Sequence, residues 1–166
     1  MDPGPAVERD STALRHGLRG LQASVALDGD GACIARARHM AADFLARAHA
    51  ERGVEVSARA SDLTQLVVSE LVTNACKYAP GPILLHLRVS GEGVEVVVWD
   101  SEPMLPVTRA ADADRVGQHG LEIVTALARS VEAEREPVGK RITARISLTD
   151  TETSHSAAAT TDRPRC

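Results

Sequence analysis

Three side chains with complementary chemistry recur at helical spacing between Asp62 and Ala79, in the stretch DLTQLVVSELVTNACKYA. At 3.6 residues per turn, Glu70, Asn74, Lys77 and Tyr78 form one stripe. Leu63, Leu66, Val67, Leu71 and Ala75 form another, which should face a core. A carboxylate can take a proton or orient water, an amide oxygen can ligate Mg²⁺, and an ammonium can meet a phosphate. The same three residues also suit a solvated helix face with i, i+3 and i, i+4 pairs, so the stripe alone does not decide for a metal-nucleotide site. Features further along the chain must do so.

Periodicity marks the elements that would position this stripe. Leu21, Ala23, Val25 and Leu27 alternate with Gln22, Ser24 and Ala26, a strand closed by the turn-forming DGDG. Ile34, Ala37, Ala41, Phe44, Leu45 and Ala48 recur as a helix that Gly53 should end. The helix carrying Glu70 must stop near Pro80 and Gly81. Ile83, Leu85, Leu87 and Val89 alternate, a GEG turn intervenes, and Val94 to Trp99 supplies the partner strand of a hairpin. Periodicity is lost over residues 101–117, a loop long enough to suggest function. A short helix from His119 to Ala128 follows. Val131 to Glu134 and Ile142 to Leu148 then form a last hairpin that turns at PVGK. This order predicts an α+β fold, a two-layer α/β sandwich with a mixed sheet and its helices on one face.

Composition narrows the function classes. A chain of 166 residues with 43% hydrophobic content fits one domain. We divide it into a disordered segment 1–16, a domain 17–149 and a disordered Ser/Thr/Ala-rich tail 150–166. A net charge of −4 without a basic cluster, and only Phe44, Tyr78 and Trp99 as aromatics, argue against a nucleic-acid surface. No stretch reaches the roughly 20 apolar residues of a membrane span. The N-terminus lacks the regions of a signal peptide, so a cytoplasmic location is expected. Cys33, Cys76 and Cys166 match no zinc spacing and read as free thiols in a reducing compartment, with Cys76 in the core or the groove wall.

Three boxes together resemble the histidine-kinase-like (GHKL) ATPase superfamily, and within it the small bacterial anti-sigma factor serine kinases. In ELVTNACKYA, the resemblance makes Glu70 the general base and Asn74 the ligand of the Mg²⁺ that bridges the phosphates. Lys77 matches a position that is often basic, and Tyr78 stands where His is common. In VVVWDSEP, Asp100 matches the aspartate that accepts a hydrogen bond from the adenine amino group. That role agrees with physics, since a carboxylate ending a buried strand needs a donor. Glu102 stands where the family often has Gly, and is read here as a solvated turn charge. In DRVGQHGLEIV, Gly117, Gly120 and Leu121 open a helix whose N–H groups can receive phosphate. One extra residue separates the glycines relative to the usual pattern. Arg115 matches an arginine that reaches the γ-phosphate or the partner protein. In VGKRITARISL the family commonly has Thr directly after Gly-Lys, supporting the aspartate. Arg141 stands there, so Thr143, two residues on, is assigned as its substitute, and Lys140 is read as a turn charge.

The resemblance implies a Bergerat-type ATP-binding fold with ATP and Mg²⁺ as cofactors. It also implies a serine kinase that phosphorylates an anti-anti-sigma (STAS-type) protein and sequesters a sigma factor in a partner-switching circuit, and it leaves room for a homodimer. The alternative is a nucleotide-dependent protein-binding regulator without phosphotransfer, motivated by Glu102, Gln118 and Arg141.

Overall fold

A computed structural model describes residues 20–79, 81–91, 93–105 and 119–150. The elements are β1 (Gln22–Leu27), α1 (Cys33–Arg52), α2 (Ala58–Tyr78), β2 (Ile83–Ser90), β3 (Gly93–Asp100), α3 (His119–Leu127), β4 (Ser130–Arg135) and β5 (Lys140–Ser147). They follow the order expected from periodicity and make an α+β sandwich. The segments 1–16 and 151–166, and most of the loop 101–117, lie outside the described residues.

The sheet runs β1-β2-β3-β5-β4, and every neighbouring pair is antiparallel. The expectation of a mixed sheet is therefore corrected. The last hairpin enters with β5 rather than β4 beside β3. The two strands that share a direction, β3 and β4, are thus kept apart.

Cross-strand partners point to the same face, so the register sorts the sheet into two sides. On the inner side lie Val25, Leu85, Val98 and Ile142 in one row, and Leu87, Val96 and Ala144 in the next. These join Leu27, Ile83, Val94 and Ile146 and the helix residues Phe44, Leu45, Val67, Leu71 and Val124 in one core. The outer side carries Leu84, Trp99, Arg141 and Glu134 in one row and Arg88, Glu95 and Arg145 in another. Trp99 is 42% exposed there.

Local chemistry fixes the helix ends. Gly53 adopts the left-handed φ of 62°, and its N–H donates to His49 O at 3.0 Å, closing α1 where the sequence placed its end. The second helix starts four residues before Asp62, because Ser57 caps it. The Ser57 Oγ accepts from Ala60 N–H at 3.0 Å, a contact of about 1 kcal/mol. The buried face of α2 also differs from the expected stripe. Val67, Leu71 and Ala75 are buried, but so are Ala60, Thr64, Val68 and Val72, while Leu66 is exposed. This helix packs against α1, α3 and the sheet at once, so its apolar face is wider than a single stripe. The Thr64 hydroxyl is satisfied within the helix by donating to Ala60 O at 2.7 Å.

Cys33 and Cys76 meet between α1 and α2 as free thiols, with their sulfurs 2.9 Å apart. Burial, and then the contact with Cys33, push the Cys76 thiol up to about 12. At neutral pH it is a packing group rather than a thiolate nucleophile.

Candidate functional site

The exposed flank of α2 carries Glu70 and Asn74, both half-buried, and then Lys77 and Tyr78, both exposed. Among the described residues, the side chains of Glu70, Asn74 and Lys77 have no hydrogen-bond or ion-pair partner. An acid, an amide and an amine are thus held on one flank of a helix.

The first turn of α3 closes over this flank at Gly120. A Cβ built on Gly120 would run into the Glu70 carboxylate, and it would lie 3.6 Å from Glu70 Cβ. Only a residue without a side chain lets the α3 backbone come this near while Glu70 keeps its place. Leu121, beside it, packs partly buried against the core and anchors the helix. Two of the residues singled out from separate boxes, Glu70 and Gly120, are therefore neighbours in space. Arg115 and Gly117 lie outside the described residues.

A second cluster is built where β3 finishes and β5 begins. Asp100 is 4% exposed and Lys140, its cross-strand partner, 2%. Lys140 Nζ donates to Asp100 Oδ1 at 2.9 Å and to Glu102 O at 3.2 Å, and Glu102 N–H donates to the same Oδ1 at 2.9 Å. Next to the pair, Gly139 has a φ of +83°. A Cβ there would collide with Asp100 O and come within 2.8 Å of Ser101 Cα. Backbone atoms do not yield as a flexible side chain does, so this position admits only glycine. A Cβ on Gly81, just past α2, would stand 3.5 Å from Ser101 Oγ. The Asp100 end of the sheet thus lies beside the C-terminal end of the helix that carries Glu70.

Two residues take roles other than those expected. Lys140 is a buried partner of Asp100, not a turn charge. Its phase along β5 matches the inward Ile142, Ala144 and Ile146, as that of Asp100 matches Val94, Val96 and Val98. Two opposite charges in the inward phase of neighbouring strands are the signal that reveals such a pair. Thr143 cannot support Asp100. It pairs with Val97 on the outer side of the sheet, one residue out of phase with Lys140, and faces away from the carboxylate. Arg141 points outward as well, held by Glu134 and Glu136. Glu102 is a turn residue whose Oε1 accepts from Met104 N–H at 3.0 Å.

Among the described residues, no group of three or more His, Cys, Asp or Glu could hold a metal ion. Mg²⁺ does not need such a cage, since it commonly keeps waters and takes one or two protein oxygens plus substrate phosphates.

Residues 32–146 match the family described as histidine kinase-like ATPase domain, a span that contains Glu70, Asn74, Asp100, Gly120 and Lys140. The chain belongs to that family. Membership makes this an ATP-binding domain, and the flank of α2 with Glu70 and the end of β3 with Asp100 hold its candidate site residues. No protein of curated function matches the ATPase domain. Among solved structures it is similar to the histidine kinase domain of a blue-light activated histidine kinase from Erythrobacter litoralis EL346. The identity is 22% and the TM-score 0.41, over 65% of this chain and 61% of that one. It is also similar to the Acinetobacter baumannii histidine kinase AdeS, at 13% identity and a TM-score of 0.43, over 77% of this chain and 68% of that one. The domain therefore spans about three-fifths of the first of these chains. No helix among its described residues is long and apolar enough to cross a membrane.

Proposed function

We propose that this ATPase domain is an anti-sigma factor and protein serine kinase that phosphorylates an anti-anti-sigma partner of the STAS type. The observation that carries the proposal is the contact of Glu70 with Gly120. It leaves a half-buried carboxylate with no partner among the described residues, against the first turn of a helix.

The residues fit bound Mg²⁺-ATP. The Asn74 carboxamide oxygen is the hard ligand suited to the cation, and the Lys77 ammonium, one turn on along the same helix, is a counter-charge for phosphates. Asp100 offers an oxygen to the exocyclic amine of adenine. Magnesium held at Asn74 would supply charge neutralisation for the phosphates. Glu70 orients a seryl hydroxyl of the partner and takes its proton. Positioning and electrostatic stabilisation supply most of the acceleration. Phosphorylation of the partner then frees this domain to hold a sigma factor, with Arg115 assigned to the phosphate or to the partner.

Glu70→Ala is expected to abolish transfer of radiolabelled phosphate to the partner while leaving ATP affinity within about threefold of wild type. Retained transfer would remove Glu70 from the role of base. A second reading, a nucleotide-dependent binding module without phosphotransfer, draws on Arg141, which is turned outward into an ion pair where the family has its threonine. No transfer to any cognate partner by a wild-type chain that binds ATP would favour the module.

A further inference from the structure

Two cysteines meet where α1 begins and α2 ends. Cys33 is the first residue of α1 and is buried, while Cys76 is half-buried in the last turns of α2, between Asn74 and Lys77. Their sulfurs stand 2.9 Å apart, and a disulfide bond of about 2.0 Å asks them to close by only about 0.9 Å. The turn into α1 is held in place, since Cys33 N–H donates to Asp30 O at 3.1 Å and Ala32 N–H to Asp30 Oδ1 at 3.1 Å. Cys33 belongs to the same core as Ala37, Val72 and Ala75, and Cys76 packs against that core. Neither sulfur can turn away without disturbing close-packed neighbours. A structural zinc asks for four ligands, and among the described residues no third His, Cys, Asp or Glu completes a group with this pair.

We propose that Cys33 and Cys76 are an oxidation site, at which a peroxide converts the thiol pair into an intramolecular disulfide that clamps the end of α2 to the start of α1. Cys76 is the sulfur that an oxidant reaches, because Cys33 is sealed in the core. The Cys76 thiolate attacks one peroxide oxygen, the O–O bond breaks, and a sulfenic acid forms as hydroxide leaves. The Cys33 sulfur then attacks the Cys76 sulfur, gives up its proton and displaces the sulfenic oxygen. Both oxygens leave as water, and the two electrons that the sulfurs lose are those that the peroxide gains. Burial and the Cys33 contact raise the Cys76 thiol, and the nearby Asp30 adds to the effect. Thiolate is therefore scarce at neutral pH, and closure answers sustained oxidation rather than a brief pulse. In a reducing compartment the bond is transient, since thiol exchange restores the pair. The cysteines are 43 positions apart in the chain, so the bond restricts the unfolded state and pins the turn that carries Lys77 and Tyr78.

Cys166→Ser removes the third cysteine and is the background for the test. The folded protein is held in hydrogen peroxide at neutral pH, alkylated, and read by intact mass and peptide mapping before and after reduction with dithiothreitol. The expected product is a monomer about 2 Da lighter, in which Cys33 and Cys76 lie in one linked peptide pair that the reductant separates. Its melting temperature is expected to rise by about 5 °C or more, and amide exchange over residues 74–79 to slow by about tenfold. Cys33→Ser in the same background is expected to form no link and to carry its oxidation on Cys76 as sulfenic or sulfinic acid. Should Cys166→Ser not fold, peptide mapping of oxidised wild type is expected to show the same Cys33–Cys76 link. Survival of both thiols in the folded protein, or oxidation of either without a link, would overturn the proposal. A link that lowers the melting temperature would overturn it as well, since the bond would then distort the packing it is said to clamp.

Discussion

Two sets of acid-base pairs bridge neighbouring strands of the same sheet, one on each side. Inside, Lys140 and Asp100 form a pair whose side chains are 3% and 1% exposed. Outside, Glu95 receives Arg88 at 2.6 Å and Arg145 at 3.1 Å, and Arg145 continues to Glu132 at 2.7 Å. The charged groups are similar, but their surroundings are not. On the outer side Glu95 is desolvated, but the arginines that hold it stay 40–47% exposed, so part of the attraction is screened and the ladder holds register with modest energy. On the inner side both charges have left water, and each depends on the other. The ladder lies along the open face of the sheet, whereas the buried pair closes the end of β3 against the start of β5.

Breaking the inner pair should have the largest effect. Lys140→Met is expected to cost about 3–5 kcal/mol in urea unfolding, because it leaves a buried carboxylate alone. Asp100→Asn/Lys140→Met should recover most of that loss. Costs that simply add would contradict the coupling.

Next in size is the glycine that closes the pair. Gly139→Ala combines a left-handed φ with a collision against the Asp100 carbonyl, so the expected loss exceeds about 1 kcal/mol, read as a lower urea midpoint at unchanged slope. A neutral result would mean that the β4-β5 turn relaxes freely.

The outer ladder should yield least. Arg88→Ala is expected to cost about 0.2–1 kcal/mol and to lose even that at high salt. Glu95 adds a pH signature. Burial alone would raise its carboxyl, but the hydrogen bonds and charges of Arg88 and Arg145 bring it below the usual carboxylate range. A folded-state value below the unfolded one stabilises the protein at neutral pH, and that contribution is lost as pH falls through the folded value. Urea unfolding of wild type and Glu95→Gln should therefore differ near neutrality and converge in acid. Curves that stay parallel into acid would show that the ladder does not shift this group.

Much of this comparison could be read from the sequence, and the remainder has physical causes. Alternation along Ile83–Val89 and Val94–Trp99, together with Gly53 and Pro80, gave the order and type of the elements, because a half-buried strand and a capped helix leave local patterns. The early start of α2 was missed since a single Ser57 oxygen makes it, with no acidic residue in the first turn to advertise it. The antiparallel sheet depends on which strand of the last hairpin lies beside β3, a long-range choice with no local sign. Within the site, Glu70 and Gly120 came from separate boxes and lie together. Thr143 was assigned by resemblance against the parity of its strand. Counting in twos from Ile142 puts Thr143 on the outer side and Lys140 on the inner, so this part of the site was legible and was misread.

The central claim is that the flank of α2 and the end of β3 form one Mg²⁺-ATP site. Calorimetric titration of Mg²⁺-ATP into wild type and Asn74→Ala, with metal-free controls, tests it most directly. The account predicts saturable, metal-dependent binding to wild type and its loss in the variant. Binding that ignores both the metal and Asn74, or no binding to folded wild type, would contradict it.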